Sequence, residues 1–165
     1  MVARYPAPMS SVRIETVTLD EPAVRELIGE LDAELHDMYP EEGAVHDRLD
    51  PAEVAPGHGV LLVAVDDSTG HMLGCGAVRL REPGVGEIKR MYVRPQARGR
   101  GVGRALLAAL EAEAAALFAD RVVLETGARQ VEAVGLYRHA GYVEIECFGE
   151  YADSPLSLCM ARTLG

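Results

Sequence analysis

Long apolar runs are missing from this chain of 165 residues, whose longest unbroken aliphatic stretch covers only residues 60–65. A membrane-spanning helix needs about 20 consecutive apolar residues, so no membrane association is expected. Residues 1–11 hold no apolar leader core; no secretory signal is therefore expected, and the chain reads as cytoplasmic. Cysteine is scarce: Cys75, Cys147 and Cys159 are odd in number and lack Cys-x-x-Cys spacing. That pattern predicts three reduced thiols behaving as small hydrophobes. The five His residues are scattered and none pairs with a Cys at zinc-like spacing, so no metal is expected. Basic charge is in the minority, 16 Lys and Arg against 26 Asp and Glu, for a net charge of −10. Phosphate contacts along nucleic acid need clustered basic residues, so nucleic acid is excluded as a partner. No Lys-Ser or Lys-Thr pair occurs, which removes the Walker A nucleotide loop. Repeats, linkers and low-complexity tracts are absent too, and the length suits one domain over residues 1–165, with 1–11 as a loose lead-in.

What the chain does have is a glycine-rich, arginine-rich turn at residues 96–104, Gln-Ala-Arg-Gly-Arg-Gly-Val-Gly-Arg. It joins a strand-like run at 87–93 to an Ala/Leu-rich helix starting near Val102. Gly99, Gly101 and Gly103 let the backbone turn tightly and approach a ligand. The helix behind them offers unpaired N–H groups and a positive dipole end. Arg98, Arg100 and Arg104 add fixed charge, and the whole suits a pyrophosphate. A dinucleotide fingerprint starting at Gly99 or Gly101 would need a small residue where Arg104 or Leu106 stands. What remains is Arg98-x-x-Gly101-x-Gly103 between a strand and a helix.

That segment resembles the coenzyme A loop of the GCN5-related N-acetyltransferases, the GNAT superfamily, whose pattern is Arg/Gln-x-x-Gly-x-Gly/Ala. A second block, Ala133-Val134-Gly135-Leu136-Tyr137-Arg138-His139-Ala140-Gly141-Tyr142, resembles the family's Ala-x-x-Leu-Tyr-x-x-x-Gly-Phe helix and turn. The two blocks stand in the family's order and at its usual distance, and similarity of pattern runs from about residue 60 to residue 164. The resemblance implies an α/β (α+β) fold: a mixed, mostly antiparallel sheet of about six or seven strands, about four flanking helices, and two parallel strands splayed at the CoA site.

The periodicity is consistent with this. Residues 12–19 alternate as a first strand, and Asp20 and Pro22 open an amphipathic helix to about Met38, with Val24, Leu27, Ile28, Leu31 and Leu35 on one face. Residues 39–59 are polar, with a short helix expected around 51–54. Strands follow at 59–65 and 72–80, joined by a turn at 66–70, and a turn at 82–86 leads into 87–93. A helix is expected from Val102 to about Phe118, a strand at 121–125, a helix at 131–139, and strands at 142–148 and 156–162. Strand, phosphate turn, helix and strand make a βαβ unit, with 87–93 parallel to 121–125.

In the family, an amine attacks the thioester of acetyl-CoA directly within a ternary complex. The resemblance thus implies an acetyl-CoA-dependent N-acetyltransferase, with acetyl-CoA as co-substrate and a small primary amine as acceptor. A protein amine, another acyl group or a silent CoA-binding module are the alternatives, and a homodimer is compatible with the reading. Glu87 lies eleven residues before Arg98, where several family members place a general base. Apolar Ile88, Met91 and Val93 nearby would suit a raised pKa, whereas an ion pair with Lys89 would make Glu87 structural. Glu125 is the next candidate, and a water relay is a third route. The resemblance assigns main-chain contacts with the pantetheine arm and the oxyanion to Met91, Tyr92 and Val93, beside a strand bulge near Val93. It assigns cofactor binding to Arg98, Gly99, Arg100, Gly101, Val102, Gly103 and Arg104. Tyr137 matches the family's Tyr, and a phenol with a pKa of about 10 can donate to a departing thiolate at neutral pH. Seven residues before it, where many members carry an Asn against the pantetheine, stands Gln130. The acceptor side maps to residues 39–43 and 148–155, including Phe148, Glu150, Tyr151 and Asp153. Arg79 and Arg90 are candidates to hold a substrate carboxylate, which would make the acceptor amino-acid-like.

Overall fold

A computed structural model describes residues 12–42 and 48–165. The expected lead-in at 1–11 and Gly43 of the acceptor segment lie outside the described residues. In chain order the elements are β1 Val12–Val17, α1 Pro22–Met38, β2 Gly59–Asp66, β3 Met72–Glu82, β4 Val85–Val93, α2 Val102–Ala116, β5 Arg121–Gly127, α3 Val131–His139, β6 Val143–Ile145 and β7 Ser157–Thr163. Seven strands form one sheet in the order β1-β2-β3-β4-β5-β7-β6. Every strand pair is antiparallel except β4 with β5, the βαβ pair.

Both faces of the sheet are covered. Val24, Leu27 and Leu31 of α1 pack with Leu61, Val63, Val65, Cys75 and Ala77 on one face. Val102, Leu106, Leu107 and Leu110 of α2 pack with Leu62, Ala64, Val78, Ile88 and Leu124 on the other. The unbroken aliphatic run in β2 follows from this: alternate side chains enter opposite cores, so neither set can be polar.

Several boundaries shift for identifiable reasons. The residue capping α1 is Glu21, not Asp20, and it is extended (ψ 128°), the conformation that the following Pro22 imposes. Asp20 instead accepts from the Thr18 hydroxyl. The short helix at 51–54 is a 3-10 turn, closed by an Asp50/Glu53 capping box. β5 runs on to Gly127 because β7 pairs with it along its whole length, Arg121 with Thr163 through Gly127 with Ser157. β6 is only three residues long. Beyond Ile145 the chain leaves the ladder to make the turn Gly149–Tyr151, which carries Tyr151 into the central cleft.

The expectation of three free thiols is corrected. Cys147 and Cys159 form a disulfide across the base of that turn, twelve residues apart, where β6–β7 pairing has ended. The two cysteines meet only because the chain returns antiparallel, which their spacing does not reveal. Closing a loop of this size stabilises a fold by about 3 kcal/mol in the chain-entropy account. Cys75 is free and buried, and burial pushes its thiol up to about 12. Native protein should therefore resist thiol reagents. Unfolded without reductant it should release one titratable thiol per chain, and three after reduction. Three thiols before reduction would rule the disulfide out.

Candidate active site

β4 and β5 pair in parallel only from Val85/Arg121 to Ile88/Leu124. Past that point β4 bends away while β5 stays with β7, and a cleft of about 780 Å³ opens between them. Residues 88–93 of β4 line it on one side, and Leu31, Leu35 and Met38 of α1 line it on another. The cause of the divergence is a bulge. Ala77 pairs with Lys89 and Cys75 with Tyr92, so Arg90 and Met91 together face Gly76. The bulge thus sits at Arg90–Met91 rather than near Val93.

The glycine-rich turn closes one end of the cleft. Gly99 (φ +77°) and Gly101 (φ +80°) adopt left-handed conformations, and a Cβ at either would meet nothing within 4 Å. Gly101 is the N-cap of α2, so the first N–H groups of that helix and its positive dipole end are presented here. Gly103 is glycine for a different reason: a Cβ there would lie 3.1 Å from Leu136 of α3. The bare backbone, the helix terminus and the cleft volume fit a pyrophosphate-bearing cofactor. Gly99, Gly101, Val102, Gly103, Arg98, Arg104 and Gln130 all border the cleft.

Two of the three arginines of the turn, Arg98 and Arg100, are already engaged. Arg98 Nη2 donates to both carboxylate oxygens of Glu34 (2.7 and 2.9 Å), and its Nε donates to the Val93 carbonyl (2.9 Å). Arg100 lies 3.6 Å from Asp66. Arg94 pairs with Glu30 and Arg90 with Asp32, so three acids along α1 meet three arginines at the rim of β4. The acids Glu30 and Glu34 stand one helical turn apart, and the arginines four residues apart. That matched spacing is the only trace of the contact in the sequence, and it names neither partner.

Glu87 does not lie among Ile88, Met91 and Val93, which pack toward α2, nor does it pair with Lys89. It is 1% exposed, and its Oε1 accepts from Arg79 Nε (3.1 Å), Arg79 Nη2 (2.9 Å) and Arg81 Nη1 (3.1 Å). Lys89 bonds Glu53 (3.3 Å) and the Arg48 carbonyl (3.1 Å) instead. Strand alternation places Glu87 and Lys89 on the face opposite Ile88, where each finds a different partner. Glu125 does border the cleft, one residue beyond the last β4–β5 pair. Tyr137 borders it too, buried and edge-on to Tyr142 with ring centres 5.8 Å apart. Burial first, and the charge of Glu125 second, push its phenol well above the ordinary tyrosine value.

On the acceptor side, Tyr151 enters the cleft and stacks edge-on against Phe148 (5.7 Å). Phe148 in turn lies against the Arg81 guanidinium (4.7 Å). The contact of Arg81 with Phe148 was not legible in the sequence; it follows from a turn 68 residues away whose Gly149 leaves room for the guanidinium. Tyr39 is buried, accepts from the Arg129 N–H (3.0 Å), and packs on Gly127, where any Cβ would collide with its phenol. Glu150 and Asp153 are exposed. Arg79 and Arg90 are both held in ion pairs, Arg79 with Glu53 and Glu87 and Arg90 with Asp32. Among the described residues no group of three or more His, Cys, Asp or Glu is placed to hold a metal, and no helix is long and apolar enough to cross a membrane.

Comparison with known proteins gives a consistent picture. The acetyltransferase (GNAT) family model matches residues 24–142. An Azospirillum brasilense protein named IAA acetyltransferase is 41% identical over 157 residues, covering 94% of this chain and 100% of that one. A Klebsiella pneumoniae structure, provisionally described as an acyl-CoA N-acyltransferase, superposes with a TM-score of 0.81 at 34% identity and covers 94% of this chain and 99% of its own. An Elizabethkingia anophelis GNAT acetyltransferase solved with acetyl-CoA bound shares the fold, with a TM-score of 0.65 at 18% identity over 93% of this chain and 98% of that one. The chain belongs to the GNAT acetyltransferase family and is an acyl-CoA-dependent N-acetyltransferase.

Proposed function

We propose that the chain acetylates the primary amine of a small molecule, with acetyl-CoA seated in the cleft between β4 and β5. The observation that carries this reading is the convergence at one opening of a bare phosphate turn, main chain without a β5 partner, a carboxylate and a phenol. Acetyl-CoA supplies the activated acyl thioester; the rest falls to the protein's own groups. The N-terminus of α2, Gly99 and Gly101 hold the pyrophosphate, with Arg104 alongside. Main-chain groups of Met91, Tyr92 and Val93, left without a parallel neighbour, bind as one strand binds another. The Gln130 amide stands at the start of α3 for the same arm.

Glu125 takes the proton from the incoming ammonium, directly or through water. Its position on the cleft wall supports this over Glu87, which does not border the cleft and whose Oε1 is occupied by three guanidinium N–H groups. Tyr137 holds the proton needed by the departing sulfur. Its raised phenol pKa keeps that proton in place through neutral and mildly basic pH, so loss of activity below about pH 10 should not arise from Tyr137. The acceptor enters past Tyr151 and Phe148. Residues 1–165 act together as one catalytic unit.

The deciding experiment is a thiol-release assay with acetyl-CoA across small amines, amino acids, peptides and IAA, the last because a relative carries that name. Turnover with a small primary amine is expected. Turnover with peptides alone would move the reading to a protein amine, and CoA binding without thiol release would make the domain a silent CoA-binding module. Tyr137→Phe keeps the ring packing and removes only the hydroxyl. It should lower kcat by about 10²-fold with acetyl-CoA affinity unchanged, because its hydrogen bond strengthens only as charge develops on sulfur. A loss confined to affinity would make Tyr137 a binding residue.

A further inference from the structure

The β4 bulge marks where the cleft begins, and side chains from two other elements converge on it. Arg90 is left-handed (φ +57°), a conformation uncommon for any residue but glycine. The extra residue resets strand alternation, and a slip of one position would exchange every later side chain between the two cores. With the bulge, Met91 turns toward α2, within 3.1 Å of where a Gly76 Cβ would stand, and Tyr92 turns to the α1 face. Without it, Arg90 would point into the apolar α2 core.

A bulge also takes backbone groups out of the ladder. Here the Arg90 carbonyl accepts a hydrogen bond from the buried Cys75 thiol (3.3 Å). Burial pushes that thiol up to about 12, so it remains a protonated donor across the neutral range. The Arg90 guanidinium, itself buried, has Asp32 of α1 among its partners, as a buried cation requires. Neither Asp32 nor Cys75 borders the cleft, whereas Arg90 does.

We propose that Asp32 and Cys75 are positioning residues for acyl transfer, which hold Arg90 from its side chain and from its carbonyl and so fix the bulge that opens the acetyl-CoA cleft. The proposal rests on the reading of that cleft as the acetyl-CoA site. A purely structural role would look different. The Asp32 side chain is 51% exposed, and an ion pair with so exposed a partner adds little to stability. The consequence of its loss should therefore appear in cofactor binding more than in melting temperature.

The test uses the full chain and its Asp32→Asn, Cys75→Ala and Cys75→Ser variants, titrated calorimetrically with CoA. Wild type that fails to bind CoA would sink the cleft assignment itself, separately from the latch. With wild-type binding in hand, Asp32→Asn and Cys75→Ala should each weaken CoA binding by about tenfold, the scale expected when a buried polar group loses one hydrogen bond. Their melting temperatures should stay within a few degrees of wild type. Cys75→Ser, whose hydroxyl can donate to the same carbonyl, should recover most of the affinity. Wild-type affinity in Asp32→Asn would overturn the proposal, as would a serine variant no better than alanine. If Cys75→Ala does not fold, Asp32→Asn decides alone.

Discussion

Gly101→Asp should abolish the stabilisation of this protein by acetyl-CoA. A ligand at about 100 times its Kd adds roughly 2.7 kcal/mol to a folded protein, which for a chain of this size raises Tm by about 5–10 °C. The wild type should show that shift and the variant none. Gly101 caps α2, and nothing stands within 4 Å of where its Cβ would be. An Asp carboxylate there would occupy the space that a pyrophosphate needs and set negative charge against it. The backbone at Gly101 is left-handed, so any side chain adds strain. Gly101→Asn controls for this, since Asn tolerates that conformation about as well as Asp and carries no charge. Asn retaining part of the shift while Asp loses all of it would isolate the electrostatic term. A wild-type shift in Gly101→Asp would mean that the turn does not bind the phosphates.

Glu125→Gln and Glu87→Gln should fail in different ways. Removing a positioned base costs about 10²-fold or more in turnover, and this loss is expected for Glu125→Gln. A general base works in its ionised form, so the wild-type rate should fall as pH drops through the pKa of that base. In Glu125→Gln this acidic limb should flatten while acetyl-CoA binding persists. Glu87→Gln should act on stability instead, because it leaves Arg79 and Arg81 without their shared carboxylate. Those arginines are about a quarter exposed, so the cost should be roughly 2–3 kcal/mol, below that of a fully buried pair. A flattened acidic limb in Glu87→Gln, with a normal one in Glu125→Gln, would exchange the two roles. Normal limbs in both would favour a water relay.

The contrast between these two carboxylates shows where reading the chain succeeds and where it stops. Both could be placed on adjoining strands near the phosphate turn from spacing alone. What surrounds them could not. Glu87 meets Arg79 through a hairpin register with Arg81 two residues further on, and the sign and crowding of its environment follow from that pairing rather than from its neighbours in sequence. The same holds for Arg98. Its motif marks it as a residue of the phosphate turn, yet its guanidinium is held by Glu34, 64 residues earlier.

By itself the sequence determined the elements and the places of the short-spaced motifs among them. The 3.6-residue and two-residue periods carry the helices and strands, since each element must turn an apolar face to a core. Gly99 and Gly101 carry the turn before α2, since it needs left-handed backbone immediately before a helix, and the Leu-Tyr block carries the phenol. Only the tertiary structure decided the rest. It put the bulge at Arg90, because α1 supplies Asp32 for the guanidinium and β3 supplies Cys75 for the carbonyl. It joined Cys147 to Cys159, because the chain returns antiparallel after Tyr151. It brought Glu125 into the cleft, because β5 keeps its pairing with β7 where β4 turns away. Each of these depends on where strands and turns meet in space, and local spacing does not encode such meetings.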